Sequence, residues 1–185
     1  MNDNIRNEYL SGDFEQTDEG IYFPISKMMA RGVFVVSKRG EPEEYSENLV
    51  VNEGLNYLLN ASVGGGSAIA SWYVAPFSGN VTVLATWTAA NFTASSTEWT
   101  LYANATRPAW THGVVASGGI DSFAAKAEFV STADGQVVRG AALVSTSAKS
   151  STSGTLIAAS RFQSDKSLDT GEILDIGYGL QLTAV

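Results

Sequence analysis

The sequence predicts an all-β protein: a two-sheet β-sandwich or jelly roll with one short α-helix near residues 52–60 and an N-terminal arm. Three observations carry this. From Ala70 onward, short runs rich in Val, Thr, Phe and Tyr recur between turns of Gly, Asp and Ser. The last segment alternates strictly, with Leu174, Ile176, Tyr178, Leu180 and Leu182 on one face and Asp175, Gly177, Gly179, Gln181 and Thr183 on the other. Only the stretch after Val51 changes to a helical period. The 185 residues suit one good-sized domain, expected over 30–185, with residues 1–29 as the arm.

The arm is polar and acidic, with scattered Ile5, Tyr9, Leu10 and Phe14. "GVFVV" and "YSENLVV" flank "KRGEPEE", whose Gly40 and Pro42 mark a turn, so a hairpin is expected. Val51, Leu55, Leu58 and Leu59 then fall at i, i+4, i+7 and i+8, one face of a helix. Asn52 is placed to cap it, and Glu53 suits the positive end of its dipole. So short a helix must dock on something. "SVGGGS" ends it.

"SWYVAPF" is the next expected strand. Val81 to Phe92 reads as a strand or a packed loop, and "EWTLYANATRPAW" as a strand interrupted by Pro108. In "SFAAKAEFVS" Phe123, Ala125, Ala127 and Phe129 share a face opposite Lys126 and Glu128. "ADGQ" is an Asp-Gly hairpin signal, so "VVRGAALVS" is expected to pair back on it. "TLIAASRF" and the alternating terminal run complete roughly eight strands. The glycines in that last run imply curvature or close approach by a neighbour. No internal repeat is visible at a spacing of ~20–50 residues.

Hydrophobic residues make up 44% and charged ones 16%, so the chain folds with a neutral-polar surface. The net charge is −8, which argues against binding nucleic acid. It is uneven: residues 1–60 hold 11 acidic and 5 basic residues, and 61–185 hold 8 and 6. There is no cysteine, which removes disulfides, thiolate nucleophiles and Cys-ligated zinc. The N-terminus has no apolar core of a signal peptide, and no apolar run approaches the ~18 residues of a membrane span. The sequons at Asn60, Asn80, Asn91 and Asn104 are expected by chance in such a Thr/Ser-rich chain.

Candidate chemistry is sparse. His112 is the sole histidine, no GxSxG elbow accompanies it, and a strand-end position is expected. "LDTGE" contains Asp169-Thr170-Gly171, the tripeptide of aspartic proteases, but little chain follows and a turn before a strand is the better reading. "VGGGS" lacks the Lys-Ser/Thr of a P-loop. Asp165, Asp169, Glu172 and Asp175 fit no calcium-loop spacing. No catalytic residue, metal ligand or cofactor is therefore expected. Trp72, Trp87, Trp99, Trp110, Tyr73 and Tyr102 are candidates for a sugar-binding face, though core packing is favoured.

In their order, "ARGVFVVSKRGEPEEYSENLVVNEGLNYLLN", "SWYVAPF", "EWTLYANATRPAW", "FAAKAEFVSTADGQVVRGAALVS", "GTLIAASRF" and "GEILDIGYGLQL" resemble the capsid cement, or decoration, proteins of tailed bacteriophages, among them one that coats a Bordetella phage. The resemblance covers about Ala30 to Val185. Its most specific pieces are "NLVVNEGLNYLL" and the combination of Tyr102, Arg107 and Pro108. It implies a β-sandwich that self-associates as a dimer or trimer and clamps neighbouring major capsid subunits. The location implied is the outside of the virion capsid, after synthesis in the host cytoplasm. Partner-binding residues are expected in the arm: Tyr9, Leu10, Phe14, Ile21, Tyr22 and Phe23, apolar side chains in a polar extension. The alternative for Ile21 to Phe23 is the first strand of the sandwich. No nucleic acid, membrane or cofactor enters this reading. The alternative function is a receptor- or glycan-binding module of a phage tail or fibre.

Overall fold

The structure, a computed structural model, describes residues 14–16, 18–24 and 28–184. The chain divides into two compact units. One spans Ala30–Gln181, and the other joins the described residues before Ala30 to the chain end from Leu182. In the smaller unit, β1 (Phe14–Gln16) pairs antiparallel with β2 (Tyr22–Pro24), with Glu15 opposite Phe23. These two strands form a sheet of their own and join neither sheet of the sandwich.

The larger unit is a β-sandwich. Strands β3 (Met28–Lys38), β4 (Glu44–Glu47), β7 (Gly119–Asp121), β8 (Ala127–Val130) and β11 (Ile173–Ala184) build one sheet in the order β4-β3-β11-β7, with β8 also on β11. Strands β5 (Leu49–Val50), β6 (Tyr73–Phe77), β9 (Gln136–Val144) and β10 (Leu156–Leu168) build the other, in the order β5-β10-β9-β6. Phe34, Val36, Phe129, Val138, Leu174, Ile176 and Tyr178 pack in one buried cluster between them. The alternation read in β11 is real at its core end: Leu174, Ile176 and Tyr178 are fully buried.

A second cluster lies on the other face of the β5-β10-β9-β6 sheet. It joins Ala75, Phe77, Ala142, Val144, Leu156 and Ala159 to Trp87 and Phe92. That sheet is therefore buried on both faces. This is why "GAALV" and "LIAAS" read as continuous apolar runs instead of alternating. The many alanines leave room for large rings from the covering layer, and Phe77, Trp87 and Phe92 meet edge-to-face at 6.1–6.3 Å.

Two helices flank that sheet, α1 (Asn52–Ser62) and α2 (Ala89–Ser96): Ala89 and Phe92 of α2 belong to the second cluster, whereas Tyr57 and Leu58 of α1 pack against the first. The second helix is a correction: Val81 to Phe92 is neither a strand nor wholly a loop. Thr88 and Asn91 form a reciprocal capping box that starts α2. The capping expected of Asn52 does not occur either. Val51 is the N-cap, without a side-chain bond, and the Asn52 amide donates to the Ala85 carbonyl. The Glu53 carboxylate accepts from the Ala89 amide at 2.8 Å and the Leu156 amide at 2.7 Å. It thus caps the neighbouring helix and pins β10.

The docked face of α1 also differs from the expected one. Val51 and Gly54 are buried, Tyr57 and Leu58 half-buried, while Leu55 and Leu59 are exposed. Gly54 sets this rotation. A Cβ there would lie 2.2 Å from the Ile157 carbonyl oxygen, so only glycine lets the helix rest on β10.

Two pairings differ from expectation. The β3–β4 hairpin forms, with Val33 opposite Glu47 and Val36 opposite Glu44, but Leu49 and Val50 cross to pair with β10 in the other sheet. The Asp134-Gly135 turn does not close a hairpin. β8 pairs with β11, whereas β9 pairs with β10 and β6. The turn carries the chain between sheets. Residues 98–110 form no strand, only isolated bridges at Glu98, Tyr102 and Ala109.

Candidate functional site: an open groove on one sheet

The residues singled out from sequence resolve mostly into structure-holding roles. His112 is exposed in a loop, its ring tilted against Trp110 with centroids 4.6 Å apart, and its Nδ1 lies 2.7 Å from the Gly113 carbonyl oxygen. Asp169, Thr170 and Gly171 form a turn. The Asp169 carboxylate accepts from the Gly135 amide, and the Asp134 carboxylate from the Thr170 amide, each within 2.9 Å. Two between-sheet turns are thereby stitched together. Asp165 pairs with Arg139 and Arg161, Glu172 with Lys38, and Asp175 with Arg39. Among the described residues no group of His, Cys, Asp and Glu converges as a metal site requires. No described helix is long and apolar enough to cross a membrane.

Trp87, Trp99 and Tyr102 are buried, and Trp72, Trp110 and Tyr73 pack half-buried against the two cores. They form no exposed sugar face. Tyr102 lies under the Lys149 ammonium, 3.7 Å from its ring centre. Burial pushes its hydroxyl pKa well up. Arg107 is 1% exposed and makes a two-pronged ion pair with Glu98 at 2.7–2.8 Å. It also donates to the Thr146 carbonyl, while Glu98 accepts from the Ser150 amide. This knot clamps the strandless segment 98–108 to the loop 145–154.

Of the arm residues, Tyr9 and Leu10 lie outside the described residues. Phe14 falls in β1, Tyr22 and Phe23 in β2, and Ile21 is 54% exposed just before β2.

A groove on the open sheet was not foreseen. It measures about 930 Å³ and crosses the sheet from β4 to β7. Ala30–Val33 of β3 and Gly179–Gln181 of β11 lie along its middle. Tyr45, Glu47 and Asn48, with Gln163 from β10, line one side. Val114, Ala116, Ile120, Asp121 and Phe123 line the other. By register Val33, Tyr45 and Glu47 share the face of the β3–β4 pair opposite the buried Phe34 and Val36.

Each wall is held in place. The Tyr45 hydroxyl donates to Glu43, which is ion-paired with Lys126 at 2.7 Å. Gln163 donates its side-chain amide to the Tyr45 carbonyl, and Ser160 its hydroxyl to the Glu47 carbonyl. Phe123 lies against Gly179, where a Cβ would stand 2.7 Å from its ring, so glycine admits the ring over β11. The Asp121 carboxylate accepts from the Phe123 amide at 3.0 Å and sets that turn.

The β4 side is further tied to β10 by Glu44, which accepts from Lys166 at 2.8 Å and from the Ser164 hydroxyl. Burial works to raise the Glu44 pKa, but these hydrogen bonds outweigh it and hold the carboxyl at about 2.

The fold and the groove define an all-β sandwich with one helix-covered sheet and one open, polar-lined sheet. In comparison with known proteins, the chain matches no family model and no curated protein.

Proposed function

We propose that the chain is a structural virion protein that binds the outside of a tailed-phage capsid and cements neighbouring major capsid subunits, associating with copies of itself. The observation that carries this reading is the scatter of apolar side chains at separate exposed places. Leu55, Leu59 and Val63 form a stripe on and just beyond α1, Val114 and Val115 project from the loop before β7, and Leu84 and Leu101 stand elsewhere. Such a surface suits many modest contacts. At the β4 edge, side chains of β10 occupy the Tyr45 and Glu47 carbonyls, which leaves fewer free groups for edge-to-edge pairing. A fastener that bridges subunits already close together turns weak contacts into tight ones through effective concentration. Binding only the assembled shell also shifts the equilibrium toward that shell. The resemblance of Ala30 to Val185 to phage cement proteins points the same way.

The test is to mix the purified protein with capsids lacking it and measure occupancy by sedimentation. Saturable occupancy at micromolar protein supports the reading, with Leu59→Asp lowering occupancy while leaving the thermal midpoint unchanged. Absence of co-sedimentation, or absence of the protein from purified virus particles, overturns it.

A further inference from the structure

We infer that the groove across β4, β3, β11 and β7 is a binding site for a neutral or weakly charged saccharide chain. Four features of the groove lead there.

Its size and openness come first. At about 930 Å³ it stands at the upper end of small-ligand sites, ~300–1,000 Å³. It is open on one side, which suits a chain lying across the sheet better than an enclosed small molecule.

The second feature is its chemistry. Sugars present an apolar C–H face and an array of hydroxyls that each donate and accept. The groove meets the first with the ring of Tyr45, 54% exposed, and with Val33 and Val114 elsewhere on the lining. It meets the second with planar polar groups: the amides of Asn48, Gln163 and Gln181 and the carboxylates of Glu47 and Asp121. The Asn48 side-chain amide donates inward to the buried Tyr178 hydroxyl at 3.0 Å, and its carbonyl oxygen is enclosed beneath the lining without a hydrogen-bond partner, so the amides of Gln163 and Gln181 are the more open ones.

The third is charge. Arg31 is the one cation on the lining, against the carboxylates of Glu47 and Asp121, and the whole chain carries −8. A phosphate-rich polymer is repelled. A peptide strand is also disfavoured, since strand addition needs a free sheet edge. Here the carbonyls of Tyr45 and Glu47 on β4 are taken by Gln163 and Ser160, and the Asp121 carbonyl on β7 by the Gly113 amide.

The fourth is rigidity. Tyr45 is steadied through Glu43 and Lys126, and Phe123 through Asp121 and Gly179, so little ordering is left to be done on binding.

Of the exposed apolar residues named for capsid fastening the groove shares only Val114, and the two readings fail separately. The experiment applies the full-length protein to an array of bacterial O-antigen and capsular oligosaccharides. The strongest hit is then titrated as free oligosaccharide against isotope-labelled protein by NMR. The expected result is saturable shifts at the side-chain amides of Asn48, Gln163 and Gln181. Tyr45→Ala is expected to weaken binding roughly tenfold or more, about 1.4 kcal/mol, and Tyr45→Phe, which keeps the ring but loses the Glu43 tether, to weaken it less. Because Tyr45→Ala removes a wall, Gln181→Trp, which fills the groove from the β11 side, is the second variant and is expected to abolish the shifts. Absence of any saturable hit at millimolar oligosaccharide overturns the inference. So does binding that Tyr45→Ala and Gln181→Trp leave unchanged, or groove shifts produced by a capsid-protein peptide and by no saccharide. Capsid sedimentation of the same two variants is expected to be normal.

Discussion

The two sheets of this sandwich are finished differently on their outer faces. The β5-β10-β9-β6 sheet is roofed by α2, Val51 and the Trp87 loop, and its outer residues Ala75, Phe77, Ala142 and Leu156 are buried. The β4-β3-β11-β7 sheet keeps an open outer face carrying Tyr45, Glu47 and the groove. The roofed side is organised around close approach, with small residues under large rings. The open side is organised around polar and aromatic groups held by neighbouring ion pairs. Stability is thus concentrated where water is excluded, and recognition is left where water can be displaced.

The largest expected effect lies in neither sheet but in the knot between their loops. Arg107→Ala leaves the Glu98 carboxylate buried and unpaired, and is expected to cost about 3–5 kcal/mol in urea unfolding. The double variant Glu98→Leu, Arg107→Met removes both charges and is expected to cost less than the single change. Equal losses would show that the pair matters for packing alone.

Where α1 rests on β10, Gly54→Ala sets two terms in opposition. Alanine favours the helix by about 1 kcal/mol, but the new methyl meets backbone 2.2 Å away, which cannot rotate aside. Overpacking of this kind costs about 1–3 kcal/mol, so a net loss is expected, with α1 lifted from β10. A stabilised variant would show that α1 is loosely laid on β10.

At the seam between the sheets, Glu44 makes stability depend on pH. Its folded pKa, about 2, lies below the unfolded value. Its contribution is therefore full above the ordinary carboxylate range, about 4.3, and is lost as pH falls toward 2. Urea midpoints of the wild type are expected to decline across that window, and those of Glu44→Gln to start lower and decline less.

The smallest expected effect is on the open side. Tyr45→Ala removes an exposed ring and should change the unfolding free energy by no more than about 0.5 kcal/mol. A larger loss would make Tyr45 a packing residue and erase the contrast between the two faces.

The arm residues illustrate what a pattern can and cannot carry. Apolar side chains at Phe14, Tyr22 and Phe23 in a polar stretch were legible as needing a partner. The pairing of Phe14–Gln16 with Tyr22–Pro24 was not, because three-residue strands are too short to show a period. The groove was illegible for a different reason. Tyr45, Gln163 and Gln181 are far apart in sequence and individually ordinary, and only strand order brings them together.

By itself the sequence determined the β-rich class, the β3–β4 hairpin, the position of α1 and the buried face at the start of β11. These follow from local periodicity, turn residues and burial preference, which act over a few residues. Tertiary structure decided which sheet receives β9, which face of α1 docks, that Glu53 caps α2, and that Arg107 finds Glu98. Alternation says that a face is buried but not what buries it. That choice belongs to contacts between distant segments, where shape, small residues and charge pairing select one arrangement among many with the same pattern.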